Sequence, residues 1–217
     1  MEATGTRPRP RIESLSDLVF GLALSIGAIA LVSNPPTTVT GLYSDIVTFC
    51  FNFVVLISIW LRYTRIMSAL PIETRTTMML NSVLLFAVTM EPFLFNILRS
   101  GNSARPPSIP LFESASSLYG LDLGMMMLIM GSFTLALADE EKRLVPKEMT
   151  RQLRFESTTW FVSSGIFLVS AIPLFGRISI GGVLVSGLSL RLVLWLVAVL
   201  VVWVRRGAGR VAASKER

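Results

Sequence analysis

An all-α membrane protein with six spanning helices is the fold class this sequence predicts, and three observations predict it. Of 217 residues, 52% are hydrophobic and 16% charged, with a mean hydropathy of +0.64, a balance too apolar for a soluble domain of this size. Apolar runs recur to near the C-terminus and leave no polar stretch long enough to fold as a separate domain. The basic residues, finally, gather in alternate connections between those runs.

A helix crossing the hydrocarbon needs about 20 apolar residues, and six runs qualify, at roughly 15–33, 42–62, 78–98, 116–138, 156–175 and 183–204. The first follows Arg11, Glu13, Ser16 and Asp17 and is uncharged from Leu18 to Val32. Acids in its flank, and Asn34-Pro35-Pro36 behind it, do not fit a cleaved leader, so it is expected to stay in the mature chain. Pro35-Pro36, Pro106-Pro107 and Pro146 punctuate the connections, as residues that cannot continue a helix should. Pro92 and Pro173 fall near the ends of the third and fifth spans, where a kink is tolerated. Arg191 interrupts the sixth run, and a charge at the bilayer centre costs about 2.5–3.5 kcal/mol. Two readings follow: the helix begins later and Arg191 snorkels near the surface, or Arg191 pairs inside the bundle, for instance with Asp122 or Glu91. The domain division is a cytoplasmic segment at 1–10, one transmembrane domain at 11–204, and a basic cytoplasmic tail at 205–217 expected to be disordered from Gly207.

With both termini in the cytoplasm, 16 basic residues lie inside and only Arg99, Arg105 and Arg177 outside. This is a strong positive-inside signal for a multi-pass protein of the cytoplasmic membrane. The net charge of +6 therefore faces anionic headgroups of the lipid bilayer and needs no nucleic-acid partner. With no histidine and the single cysteine Cys50, no internal disulfide can form, and the commonest metal ligand and general base are missing. No metal or cofactor is expected. Glu140-Glu141 sits beside Lys142-Arg143, as on a solvated loop, and Ser25, Ser163 and Ser164 have no base nearby in sequence. No enzyme is predicted.

In the first helix, Leu22, Ile26 and Ile29 stack within about 60° of one another, with Ser25 at the border of that stripe. Such a stripe is more often packing or lipid-facing surface than a pore. The small residues Gly21, Ala23, Gly27, Ala28 and Ala30 cover much of the remainder and suit close approach of neighbouring helices.

These residues also carry a resemblance. Arg11-x-x-x-Leu15-Ser16-Asp17 resembles the Arg-x-x-x-Phe-Ser-Asp signature that opens the first helix of the transmembrane protein 175 family, lysosomal potassium channels with prokaryotic relatives. Ile59-Trp60-Leu61-Arg62-Tyr63-Thr64-Arg65 resembles the family's second-helix segment in spacing. Leu80-Asn81 and Glu91-Pro92-Phe93 resemble the two ends of its third helix. Order and spacing agree over roughly 11–98, whereas the second half is similar only in hydropathy. Two departures stand out: Leu15 replaces the signature Phe, and Tyr63 and Thr64 stand where histidine is usual.

The resemblance implies a potassium-permeable, passive and weakly selective cation channel, with a central pore lined by the first helix and no re-entrant selectivity-filter loop. Carried over by spacing from Asp17, the constriction falls on Leu22, a hydroxyl tied to potassium preference on Ser25, and further apolar layers on Ile26 and Ile29. One signature copy per chain implies a homotetramer, and potassium is implied only as the permeant ion. By the same resemblance Arg11, Ser16, Asp17, Trp60 and Asn81 form a polar network that supports the pore, with Arg11 and Asp17 reaching Trp60 and Asn81. The competing readings are a proton leak channel, a secondary transporter using Glu91, Asp122 and Arg191, and a non-conducting membrane scaffold.

Overall fold

A backbone inside hydrocarbon finds no water to bond, so each segment closes its own hydrogen bonds as a helix. A computed structural model of the chain describes residues 11–33, 35–69, 75–100, 108–139, 145–177, 179–180 and 188–215. Its helices are α1 (Arg11–Ser33), α2 (Val39–Met67), α3 (Arg75–Ser100), α4 (Ile109–Leu137), α5 (Lys147–Ser170), α6 (Pro173–Arg177) and α7 (Leu190–Lys215). Two short strands, β1 (Ser179–Ile180) and β2 (Leu188–Ser189), pair antiparallel ahead of α7. Helices α1 to α4 are each long and apolar enough to cross a membrane. Helix α5 opens on a charged stretch, and the apolar part of α7 is the shorter Leu190–Val202, with Arg191 in its first turn.

Helix α4 is the centre of the bundle, packed against α3 on one side and α5 on the other. It is buried along most of its length, from Ala115 to Leu137. Glycine lets α5 come close: a Cβ on Gly124 would lie 2.8 Å from Leu168 Cγ and 3.2 Å from the Leu168 backbone nitrogen. Met126 and Met130 are fully buried beside that contact line, and their flexible thioethers fill irregular gaps. On the flanks, α1 lies against α3 and α2, and α7 lies against α5.

The helices overrun the apolar runs at several ends, because polar residues carry them on into the headgroup layer. Three expectations are corrected. Pro173 does not kink the fifth span; α5 stops at Ser170 and Pro173 opens the separate α6, as a residue without an N–H and with a clashing ring dictates. The last helix begins at Leu190 rather than near 183, since Leu188 and Ser189 pair with Ile180 and Ser179; apolarity over a short run does not separate strand from helix. The basic tail is helical to Lys215, in keeping with its alanines, arginines and lysine.

Arg191 takes a part of each reading: its helix begins late, and its side chain is bonded inside the bundle. It lies in the first turn of α7, yet it is only 2% exposed. Its guanidinium donates to the carbonyls of Ser170 (2.8 Å), Ile172 (3.1 Å) and Glu113 (3.3 Å) and to the hydroxyls of Ser116 and Ser117. Its partners are thus the C-terminal end of α5 and the first turns of α4, not Asp122 or Glu91. A five-donor cation suits the unpaired, partially negative carbonyls where a helix ends. One turn further along α7, Trp195 donates to the Ser170 hydroxyl at 2.8 Å, so both side chains dock α7 on the same residue of α5.

Gly124→Ala should destabilise the fold by about 1–3 kcal/mol, the usual cost of overpacking. Thermal unfolding of the purified protein in detergent, read against wild type, is the check; an unchanged midpoint would mean that α5 can retreat from α4 freely.

Candidate functional site

Helix α1 has two faces of opposite character. Ser16, Phe20 and Ala23 are 2% exposed or less and Gly27 is also buried; their spacing of four, three and four residues makes one narrow stripe. At about 100° per residue, Leu18, Leu22, Ser25 and Ile29 fall within about 60° of each other, on nearly the opposite side. Leu18 is 67%, Leu22 55% and Ile29 61% exposed within the single chain. Ile26, 43% exposed, lies about 70° off the centre of this outward stripe. The stripe therefore centres on Leu22 and Ser25, with Ile26 on its shoulder. The Ser25 hydroxyl donates to the Gly21 carbonyl at 2.8 Å, so its proton is committed to the helix and its lone pairs face outward.

What sets this rotation is a chain of hydrogen bonds on the inward face. Trp60 Nε1 donates to Asp17 Oδ1 at 3.0 Å. The Tyr63 hydroxyl lies 2.7 Å from Ser16 Oγ and 2.8 Å from Asn81 Oδ1. Asn81 offers an acceptor oxygen here, so Tyr63 donates to it and accepts from Ser16. The three groups are buried, and the Phe20 ring sits 5.6 Å from that of Tyr63. One phenol thus joins α1, α2 and α3.

The residues named from sequence divide accordingly. Asp17 and Trp60 meet directly, whereas Ser16 and Asn81 are joined through Tyr63, so Asn81 does not receive Asp17. The Arg11 side chain lies outside the described residues. Tyr63, noted in the sequence only as a departure from histidine, is the node of the network. Its signal was its spacing: Trp60 and Tyr63, three residues apart, share one face of α2, as the adjacent Ser16 and Asp17 require.

Two further contacts hold α1 farther along its length. At its C-terminal end, Arg99 of α3 donates to the Ala30 carbonyl at 2.6 Å and pairs with Asp45 of α2 at 2.9 Å. The Ala30 carbonyl belongs to the last turn of α1, where no intrahelical partner exists. Between the ends, Gly27 faces Asn52, whose amide group would stand 3.3 Å from a Cβ placed there. Asn52 belongs to a second buried polar cluster. Turned to donate, its amide nitrogen lies 2.9 and 2.5 Å from the Glu91 carboxylate oxygens, and Tyr119 donates to Glu91 at 3.2 Å. Asp122 lies one turn beyond Tyr119 on α4 and is 5% exposed. Among the described residues, its Oδ2 has no hydrogen-bond partner.

An all-helical, multi-pass membrane protein whose first helix is locked on one face and bare on the other is the class these features define. Residues 11–92 match the family model described as the endosomal/lysosomal potassium channel TMEM175. The solved structure of a variant of the potassium channel MtTMEM175 from Marivirga, in complex with a nanobody–MBP fusion protein, has the same fold. It superposes with a TM-score of 0.59 at 17% identity, covering 97% of this chain and 96% of that one. No curated protein sequence matches the chain. The family match thus falls on the first three helices, and the likeness of fold runs along the whole length.

Tyr63→Phe removes one hydroxyl and its bonds to two buried groups, at a cost of about 1–3 kcal/mol. Asn81→Leu should add little on top of it, because both changes break the same bond. Thermal unfolding of the single and double variants checks this; fully additive losses would show that the phenol is not the link.

Proposed function

We propose that the chain is the subunit of a homotetrameric, potassium-permeable channel, passive and weakly selective, whose central pore is lined by the outward face of α1. The observation that carries this reading is that face itself. Leu18, Leu22 and Ile29 are bare in the single chain, on a helix whose rotation is fixed by buried hydrogen bonds rather than by apolar contact. The family match covers this helix, and the protein with the similar structure is itself a potassium channel. A single signature copy per chain makes four chains the natural closed assembly, and rotational symmetry suits a central pore.

Six crossings suit the lengths. Helix α5 has 24 residues and α7 has 26, about 36 and 39 Å at 1.5 Å per residue, against roughly 30 Å of hydrocarbon. Both termini then lie in the cytoplasm, and the protein resides in the cytoplasmic membrane. Loops that re-enter the membrane play no part in selectivity.

A ring of four Leu22 side chains cannot replace the hydration shell of an ion, so the closed pore blocks by narrowness and dewetting. Ile26 and Ile29 continue the apolar layer, Ile26 from its shoulder position. Opening widens or rotates the ring. Four Ser25 hydroxyls, each with its proton held by Gly21, then present acceptors to a passing cation and give modest preference for potassium. Ser16 and Asn81, joined through Tyr63, and Asp17 with Trp60 support the pore and touch no ion; Arg11 has the same supporting role.

A proton pathway is the second reading, favoured by the buried series Asn52, Glu91, Tyr119 and Asp122 beside Gly27. The transporter reading is weaker, because Arg191 is engaged at the end of α5 and is not joined to these acids.

Proteoliposomes holding the purified chain under a potassium gradient test the assignment. Leu22→Ala should raise potassium flux above wild type, and Ser25→Ala should reduce the preference for potassium over sodium. Unchanged flux in tetrameric Leu22→Ala would remove Leu22 as the gate. Proton flux alone, abolished by Glu91→Gln, would favour the second reading.

A further inference from the structure

Helix α2 does not pack along α5 or α7 among the described residues, and the gap between them is a cavity of about 300 Å³. Its mouth carries Arg62 and Arg65 from α2 and Arg205 from α7, with Glu156 from α5 opposite. Three arginines against one glutamate leave a net formal charge of +2. Glu156 is ion-paired with Arg62 across the gap, which ties its charge to the wall. Arg205 is held at the rim by the Thr159 hydroxyl, 3.5 Å away, and by the Phe155 ring, 4.8 Å from its guanidinium carbon. Arg65 is exposed and has no ion-pair partner among the described residues.

The cavity changes character with depth. Ser58, Trp160 and Val202 line its inner end, and the same three line a narrower space of about 40 Å³ that continues between the helices. That space is walled by Val54, Val55 and Ile59 of α2, Val199 of α7 and Met127 of α4. On α2 the arginines at the mouth give way to Ser58 and then to Val55 and Val54, on α5 Gln152 and Glu156 give way to Thr159 and Trp160, and on α7 Arg205 gives way to Val202 and Val199. From Arg65 to Val54 the groove descends about 16 Å along α2, from headgroup level into hydrocarbon.

We propose that this groove is a binding site for one anionic phospholipid, with its phosphate headgroup between Arg65 and Arg205 and an acyl chain along the valine-lined depth. Charge complementarity selects the headgroup: guanidinium groups form paired hydrogen bonds to phosphate oxygens, and basic pockets between membrane helices suit anionic lipids. The apolar continuation selects a lipid over a free phosphate ion, which could use only the mouth. The bound lipid would bridge α2 to α5 and α7 beside the Arg62–Glu156 pair, where the helices do not pack closely, and so add a link between the signature half of the subunit and the second half. The site does not depend on α1 lining a pore.

Binding of dioctanoyl phosphatidylglycerol, dioctanoyl phosphatidylcholine and inorganic phosphate to the full-length protein in neutral detergent, followed by native mass spectrometry, tests the site. Wild type should retain phosphatidylglycerol in preference to both others. The double variant Arg65→Gln/Arg205→Gln should weaken it about 30-fold, at the usual contribution of an arginine near an anionic surface, and Arg75→Gln, outside the groove, should change it less than about twofold. Equal retention of phosphatidylcholine, a matching effect from phosphate alone, or an equal loss in Arg75→Gln would each overturn the proposal. If the double variant does not fold, a photoactivatable phosphatidylglycerol added to wild type decides: adducts are expected on 54–65, 152–160 and 199–205. Labelling confined to other segments, or blocked only by an added protein, would reject a lipid site.

Discussion

The hydrogen bonds through Tyr63 and Trp60 are what the arrangement of α1 depends on. Lipid tails are as apolar as leucine, so packing among spanning helices has no hydrophobic preference for one face over another. A helix such as α1, apolar nearly all round, would have a poorly determined rotation if apolar contact were all it had. Polar groups inside hydrocarbon change this, because leaving one unpaired is expensive. Ser16 and Asp17 must turn toward Tyr63 and Trp60, and that turn commits Leu22, Ser25 and Ile29 to the opposite side. The face proposed to conduct is thus chosen by what happens on the other face.

The same rule governs two other helix ends. Arg99 meets the last turn of α1 and Arg191 the last turn of α5, each supplying donors to carbonyls that have no partner within their helix. Two buried cations that would be costly alone are accommodated by groups that would also be costly alone. Arg191 and Trp195 further dock α7 on Ser170, so the second half of the helical bundle is closed by the same kind of bond that orients α1. Opposite these clamps, at the basic end of α2, protein contacts between the halves give way to a groove, and the lipid proposed there would complete the subunit.

The sequence fared best where one signal sufficed. Long uncharged runs locate α1 to α4, and the Arg-x-x-x-Leu-Ser-Asp order carries the resemblance to the TMEM175 signature. It fared less well where helices share a boundary. Leu188 and Ser189 look as helical by hydropathy as Leu190, and only their pairing with β1 separates them. Tyr63 looked like a departure from a pattern because its partners, Ser16 and Asn81, are 47 and 18 residues away in sequence. Arg99 was read simply as an external charge, since nothing in sequence shows that a carbonyl of α1 lies beside it.

By itself, then, the sequence determined that the chain crosses a membrane several times as helices, and which of its helices carries the family signature. Both follow from local properties, hydropathy and residue order, that each segment possesses alone. Tertiary structure decided the rotation of α1, the partners of Arg191 and Arg99, the start of α7 and the existence of the basic groove. Each of these depends on which polar groups from distant segments meet where water is absent. That is a property of the pairing and not of either segment.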